Sequence, residues 1–466
     1  MAGLFKVPER LGRAGDSVIA KKANSKSKQS SVTVTGGGDL IGKINTIRAM
    51  VEKHLGHLRD KYIVIQDKDV LHNYITKAIE NGIISIDTET TGLDPLQDEL
   101  VGICIYTPGM KGAYIPVNHK SYVTQQKVMN QLPEDFLKEE FERLNEHPMK
   151  TIMFNSPFDV RFIKSGLGVK LTCTWDCYLA ARLLNENEGP GNNGLKKLHQ
   201  KYVLDGEGDA FKFDDLFKGV RFDFIPIQVG YLYAAHDPVI TYELYEFQEP
   251  FLTPDNYECT SRGLEDVAWV FHNIEMPCSA VVAEIEDNGV AFDFEYANKL
   301  HDKYHAELEK KTKRVYEVIS MYDDEIEAYK MKNPNHKLSD PINIDSPTQI
   351  AILLYDIIKV GVIDEKAPRG TGEEIMLKID NALSHAILDY RGTGKLINTY
   401  IDKLPACVNP KDGRIHCKFN QYGADTGRFS SSDPNLQNIP SHNKDIRKMF
   451  TASPGYVLMS SDYSQQ

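Results

Sequence analysis

Two acids stand one residue apart in Ile86-Asp87-Thr88-Glu89-Thr90-Thr91-Gly92, directly after the β-rich run Ile83-Ile84-Ser85-Ile86. On a strand, residues i and i+2 point to the same face, so Asp87 and Glu89 are neighbours. Carboxylates held side by side repel, and each resists ionising unless a cation lies between them. A divalent metal bound through oxygen is the natural partner. A third acid, Asp159, follows the apolar run Thr151-Ile152-Met153-Phe154 in the segment Phe154-Asn155-Ser156-Pro157-Phe158-Asp159. A fourth, Asp237, lies four residues beyond Tyr233 in Tyr233-Ala234-Ala235-His236-Asp237, a spacing that puts the two on one face of a helix. Each piece alone is ordinary. A D-x-E pair is common in solvated turns, Tyr233 alone reads as a half-buried core tyrosine, and Asp237 alone reads as a surface acid. His236 reads as a surface or packing residue and not as a ligand.

Taken together, in this order and with these internal spacings, the three segments resemble the exonuclease motifs of DnaQ-like (DEDD) 3′–5′ exonucleases, in the subclass with a catalytic tyrosine. The resemblance implies an RNase H-like fold and a site for two Mg²⁺ or Mn²⁺ ions. It implies that Asp87, Glu89 and Asp237 bind the ion of the nucleophile, that Asp87 also touches the second ion, and that Asp159 acts on that ion largely through water. Tyr233 would orient the attacking water. Leu93 and Phe158 fall where the family packs apolar side chains against the terminal nucleotide, and Asn155 matches the polar residue of its motif.

A second segment, Thr426-Gly427-Arg428-Phe429-Ser430-Ser431-Ser432-Asp433-Pro434-Asn435-Leu436-Gln437-Asn438-Ile439-Pro440, is similar to the T-G-R-x-S-S-x-x-P-N-L-Q-N-I-P signature of family A DNA polymerases at every fixed position. Its Arg, Asn and Gln side chains can donate to minor-groove acceptors, which are similar for every base pair, so such contacts test duplex shape and not sequence. The resemblance makes Arg428, Asn435, Gln437 and Asn438 candidates to touch a primer–template duplex. The segments at 342–351 and 390–400 are similar to thumb segments of the family, and 275–290 is similar to the start of its polymerase domain. The last residues, Ser461-Asp462-Tyr463-Ser464-Gln465-Gln466, are similar to the start of polymerase motif A, which makes Asp462 a candidate metal ligand. The sequence carries neither the fingers residues nor the second motif acid that the family uses. The expectation is an incomplete polymerase site, with a C-terminal partner chain as the piece that would complete palm and fingers. The compact layout, with no 5′-nuclease segment ahead of the exonuclease, resembles bacteriophage members of the family.

The elements that must position these residues alternate early in the chain. Tyr62–Ile65, 83–86, 101–106 and 112–117 read as strands, and 69–80, 134–145 and 176–187 as helices. From about 257 the character changes to long helix-favouring stretches, at 293–332 and 375–398, separated by a loop at Arg369-Gly370-Thr371-Gly372. The fold class expected is an α/β, RNase H-like exonuclease domain, then a mostly helical thumb and an incomplete α+β palm. The boundaries expected are a flexible basic tail over 1–45, the exonuclease over 46–255, the polymerase start and thumb over 256–405, and a partial palm over 406–466.

Composition sets limits around this reading. The 466 residues are 41% hydrophobic and 26% charged, the balance of a globular protein. No apolar run reaches membrane-spanning length, and the N-terminus lacks the apolar core of a secretory signal. Seven cysteines without zinc spacing, Cys173 and Cys177 included, read as reduced thiols of a cytoplasmic protein, in the host cytoplasm for a bacteriophage enzyme. The net charge of −12 is unlike that of a protein that coats nucleic acid. Residues 1–28 run against it, with seven basic side chains and two acidic ones, and read as a solvated tail. Expected partners are a single-stranded DNA 3′ end and a primer–template. Two other readings, a free-standing 3′–5′ exonuclease and a non-catalytic DNA-binding fragment, are opposed by the signature at 425–440 and by the four clustered acids respectively.

Overall fold

The computed structural model of the chain describes residues 37–184, 193–207, 213–217, 219–424, 426–441 and 443–464. Residues 1–36 of the tail expected over 1–45, the end of the expected helix at 176–187 and Asp425 lie outside them, whereas 37–45 open the helix Gly37–Leu55 with Leu40 and Ile44 buried, so the expected tail is too long at its C-terminal end. The chain divides into two units. One holds the described residues up to Asn288 together with Lys418–Ser431, and the other holds Gly289–Cys417 and the described residues from Ser432 onward.

The first unit is α/β. In chain order its leading elements are α1 (Gly37–Leu55), β1 (Tyr62–Val64), α2 (Lys68–Asn81), β2 (Ile83–Thr90), β3 (Leu100–Tyr106), β4 (Gly112–Pro116), α3 (Glu134–Asn145), β5 (Lys150–Met153), α4 (Ser156–Leu167), β6 (Trp175–Asp176), α5 (Cys177–Leu184), α6 (Leu195–Tyr202), α7 (Phe213–Phe217), α8 (Ile227–Ala234) and α9 (His236–Leu252). The strands form one sheet in the order β1-β4-β3-β2-β5-β6. β2 pairs antiparallel with β3 and parallel with β5, so the strand carrying Asp87 and Glu89 is interior to the sheet. β3 and β4 are buried almost end to end, which requires cover on both faces. Ile84, Ile86, Ile103 and Ile105 pack with side chains of α2, α3 and α4. Cys104 and Tyr114 pack with α1, α7 and α8. Ile152 and Trp175 pack with α5 and α9.

Local chemistry sets the element ends. Asp67 caps α2 by accepting from Asp69 N and Val70 N, and Gly82 closes it in the left-handed region at φ 66°. Three sequence expectations are corrected. The strand expected over 83–86 runs on to Thr90, so the two acids lie within it and not beyond its end. Tyr233 and Asp237 do not share one continuous helix, because α8 ends at Ala234 and α9 begins at His236, with Ala235 between them. Pro238 accounts for this break. It has no N–H, and its ring crowds the carbonyl four residues back, that of Ala234. The stretch expected as helix over 375–398 is interrupted after Met376 and restarts at Ala382, where Asn381 accepts from Leu383 N over 2.8 Å.

In the second unit, the strands Val290–Phe292, Arg414–Ile415 and Phe450–Thr451 form an antiparallel sheet with Val290–Phe292 in the middle. The helix Phe294–Ser320 starts where the Asp293 side chain accepts from Tyr296 N. The stretch expected to be helical over 293–332 breaks at Met321–Tyr322 and resumes as Asp323–Lys332. Helix Ala382–Leu396 continues through a π-helical turn, Ile397–Ile401, into Lys403–Ala406. Among the described residues no helix is long and apolar enough to cross a membrane.

Candidate active site

The sheet and two helices, α4 and α9, bring the four acids of the sequence reading together. Asp87 and Glu89 project from β2, opposite Cys104 and Gly102 of β3. Gly102 is required there, because a Cβ at that position would collide with the Tyr114 hydroxyl. The register shifts between Glu89 and Thr90, which ends regular pairing just past the second acid. Asp159 sits in the first turn of α4 and Asp237 in the first turn of α9. Glu89 and Asp159 are buried, while Asp87 and Asp237 are partly open to solvent.

Electrostatics bind these groups into one system. Burial, followed by the charges of Asp159, Asp237 and Glu89, pushes Asp87 well above the usual carboxylate range. Burial, then Asp237, does the same to Glu89. Asp237 is raised by burial against the opposing pull of Lys196. Burial pushes Asp159 up to about 7, although Thr88 pulls it down through hydrogen bonds from its hydroxyl and backbone. The Thr88 hydroxyl donates to Asp159 Oδ1 over 2.6 Å, so the residue between the two strand acids ties the third acid to the strand. Tyr233 is buried on α8, and burial, then Asp237, Glu89 and Asp87, keeps its phenol neutral far beyond ordinary pH.

Clustered carboxyls are unfavourable without cations, and Lys196 sets one positive charge against four acids. Asp237 Oδ1 is buried without a well-aligned hydrogen bond, even though Lys196 Nζ lies 3.0 Å away. The contact is a close charge pairing, and the oxygen keeps lone-pair capacity for another partner. Hard oxygen donors with unspent lone pairs fit Mg²⁺ or Mn²⁺. The Cys104 sulfur lies within 4.8 Å of ligand oxygens of Asp87 and Glu89, and burial holds that thiol in its protonated form.

The remaining exonuclease-motif residues lie next to the acids in sequence. Leu93 is about half exposed, in the turn after β2. Phe158 is half-buried against Phe162, with ring centroids 4.8 Å apart. Asn155 is exposed, in the left-handed region at φ 64°, at the corner where β5 turns into α4. His236 contacts Tyr62 Oη over 2.7 Å and packs against that ring, in keeping with the packing role expected of it.

Sequence reasoning missed two residues. Lys196, from α6, lies 3.0 Å from Asp237 Oδ1, and its ammonium stands 3.6 Å from the centroid of the Tyr233 ring. Asp176, at the end of β6, is fully buried and accepts from four backbone amides: Asn155 N at 2.9 Å, Ser156 N at 2.7 Å, Tyr178 N at 2.9 Å and Leu179 N at 3.4 Å. It thereby fixes the corner that launches α4 and Asp159. Neither had a usable signal, since one is a lysine in a basic helix and the other an isolated acid.

The polymerase-like residues are placed differently. Arg428 is exposed in the first unit. In the second, Asn435, Gln437 and Asn438 are exposed, while Leu436 and Ile439 pack against the core that includes Phe292 and Tyr400. Asn435 Oδ1 accepts from Gln437 N at 3.0 Å, a turn that presents the polar side chains outward. Asp462 is exposed, in a stretch without helix or strand.

With this geometry in view, the chain can be set beside known proteins. Residues 62–252, which hold β1 to β6 and all four acids, match the family described as 3′-5′ exonuclease. Residues 305–466 match the family described as DNA polymerase family A. The chain thus resembles a 3′–5′ exonuclease over 62–252 and the family A DNA polymerases over 305–466. It is 31% identical to DNA polymerase I of Pseudomonas aeruginosa over 87% of its own length and 42% of that protein's. It is 29% identical to DNA polymerase I of Chloroflexus aurantiacus over 86% of its length and 40% of that protein's. The chain thus spans less than half the length of these relatives. Among solved structures it is similar in fold to the POL domain of Pol1 from M. smegmatis in complex with DNA primer-template and dNTP, with TM-score 0.60 and 20% identity, covering 83% of this chain and 58% of that one.

Proposed function

We propose that this chain is the N-terminal part of a DNA-directed DNA polymerase that acts in DNA replication, and that its first unit is an RNase H-like proofreading domain that removes nucleotides from DNA 3′ ends. The observation that carries this reading is the buried convergence of Asp87, Glu89, Asp159 and Asp237 beside Tyr233. Asp87, Glu89 and Asp237 would hold one Mg²⁺ or Mn²⁺ ion, and Asp87, with Asp159 largely through water, a second. Bound there, the ions supply an acidified water and neutralise charge at the scissile phosphate and on the leaving oxygen.

The protein's own groups do the positioning. Tyr233, kept neutral, holds the attacking water by a hydrogen bond in line with the phosphorus. Attack forms a P–O bond to that water and breaks the P–O3′ bond, releasing a nucleoside 5′-monophosphate and leaving a new 3′-hydroxyl. Thr88 keeps Asp159 oriented. Leu93 and Phe158 present apolar surface to the terminal base and sugar, and Asn155 offers a polar side chain beside them. In the second unit, a mostly helical thumb leads into palm-like strands. There Asn435, Gln437 and Asn438 would meet the minor groove of a primer–template, as Arg428 would from the first unit. Asp462 would bind metal in the polymerising site, completed by family residues outside this sequence, in the same chain or a C-terminal partner.

The test is digestion of a single-stranded DNA labelled at its 5′ end, with Mg²⁺ or Mn²⁺. Stepwise shortening from the 3′ end, lost in the Asp87→Ala/Glu89→Ala variant, is the expected result. Digestion by the double variant at the wild-type rate would refute the assignment.

A further inference from the structure

A second group of metal-ligating side chains lies in the second unit. His301 and His305 are four apart on the helix Phe294–Ser320, hence on one face, and their ring centroids are 4.2 Å apart. Asp402 reaches them from the junction between the π-helical turn Ile397–Ile401 and the helix Lys403–Ala406. Both Nε2 atoms face the Asp402 carboxylate: His305 Nε2 is 3.1 Å from Oδ1 and 3.2 Å from Oδ2, and His301 Nε2 is 4.0 Å from Oδ1. One ligand atom from each residue lies within 4.8 Å of the others. We propose that His301, His305 and Asp402 form a binding site for a single divalent transition-metal ion, with Zn²⁺ as the favoured occupant and water as the fourth ligand.

Three features separate this cluster from a surface ion pair. Two imidazoles converge on one carboxylate, so that three ligand atoms lie within reach of a single ion. Tetrahedral zinc with bonds of about 2.0–2.1 Å separates its ligands by roughly 3.3 Å, a spacing His305 Nε2 nearly has from Asp402 Oδ1 at 3.1 Å and His301 Nε2 approaches at 4.0 Å. The second feature is independent of the first. His301 Nδ1 faces Asp302 Oδ1 at 3.2 Å, the outer carboxylate that metal-bound histidines characteristically use to fix their tautomer and leave Nε2 free. The third is preorganisation. Leu300 and Tyr304 on the long helix pack in one core with Ile397, Tyr400, Ile401 and Leu404, so the backbone on both sides of the site is held by buried apolar contacts.

The donor set selects the metal. Imidazole nitrogens suit zinc, nickel, cobalt and copper, whereas Mg²⁺ and Ca²⁺ prefer all-oxygen sites. An occupied site would staple the middle of the long helix to the end of the segment that begins at Ala382. It would thereby stabilise this unit by linkage to the free ion.

Co²⁺ titration of the full chain, read by visible d–d absorption, tests the site. The titration uses the Asp87→Ala/Glu89→Ala background, so that the carboxylate cluster contributes nothing. One equivalent of Co²⁺ should give the intense band of four-coordinate cobalt, displaced by stoichiometric Zn²⁺, and Zn²⁺ should raise the melting temperature of the second unit. His305→Ala and, separately, His301→Gln should remove the band and weaken Zn²⁺ binding by more than about 100-fold, beyond the loss expected for an outer partner. Asp302→Asn should weaken it by about 10–100-fold and keep the band. Both histidines are partly exposed, so circular dichroism of the variants should match the parent. Absence of a four-coordinate band in the parent, or its survival in both histidine variants, would overturn the proposal.

Discussion

Lys196 places its ammonium 3.0 Å from Asp237 Oδ1 and 3.6 Å from the centroid of the Tyr233 ring, so one cation touches both an acid of the cluster and its tyrosine. Its charge opposes the upward shift of Asp87, Glu89 and Asp237. Lys196→Ala should therefore let all three hold protons more tightly, and a divalent ion would compete against those protons. The acidic limb of the exonuclease pH–rate profile should move to higher pH, with more Mg²⁺ needed for half-maximal rate near pH 7. Single-turnover digestion of labelled single-stranded DNA across pH measures both. An unmoved acidic limb would leave Lys196 as a structural ion pair only.

Metal removal should expose the strain among the acids. In the folded chain Asp87, Glu89 and Asp237 are raised and Asp159 is pushed up to about 7, against ordinary values of 3.8 for Asp and 4.5 for Glu. Between those limits the folded state holds protons that the unfolded state has released. Stability contributed by these groups is thus present below the window and lost as pH rises through it. With a chelator present, Asp87→Ala/Glu89→Ala should melt higher than wild type, by a margin that grows from about pH 5 to about pH 8. Excess Mn²⁺ should shrink or reverse that margin, because the ion binds the folded wild type. Calorimetry in both conditions decides it, and a margin independent of pH would contradict the linkage.

Much of this site was legible because its acids sit on local patterns. The β-rich run before Asp87, the apolar run before Asp159 and the four-residue spacing of Tyr233 and Asp237 are short-range signals, and each points to a residue that reaches the cluster. The run 134–145 is a helix over just those residues, because its apolar positions keep helical spacing from Phe136 to Leu144. What stayed hidden depends on distant partners. Lys196 and Asp237 are 41 residues apart, and Asp176 and Ser156 are 20 apart, so neither contact leaves a periodic trace. The break at Ala235 was readable from Pro238, but the helical spacing across it masked the interruption. The pair His301 and His305 stayed hidden within a stretch that reads only as helical, and Asp402 joins them only through the packing of two long segments.

Tyr233→Phe should separate orientation from metal binding. The phenol is neutral in the cluster, so its hydroxyl can only donate or accept a hydrogen bond. Loss of one positioned donor typically costs about 10²–10³ in rate. The expected outcome is a fall of that order in the single-turnover rate, with the Mn²⁺ dependence and the melting temperature nearly unchanged. A rate equal to wild type would remove Tyr233 from the reaction and leave it a packing residue beside Phe213 and Phe217.

Asp176 tests whether the corner that launches α4 is a positioning device. Its Oδ1 accepts from Asn155 N and Tyr178 N, and its Oδ2 from Ser156 N, all in a fully buried setting. In Asp176→Asn the amide oxygen can keep one side of that pattern, but the NH₂ group then faces an N–H on the other. One buried donor left unmade costs about 1–3 kcal/mol. Asp176→Ala abandons all three bonds and the longer one from Leu179 N as well, and because such losses are not additive the cost should be about 3–5 kcal/mol. The catalytic consequence is separable from stability. Asn155 and Ser156 lead directly into the turn that carries Asp159, so a relaxed corner should shift that acid and slow hydrolysis even well below the melting temperature. The measurement is single-turnover digestion by Asp176→Asn from about 10 °C upward, beside a thermal melt. A deficit that persists at the lowest temperature supports positioning. Recovery of the full wild-type rate on cooling would reduce Asp176 to a contributor to stability alone.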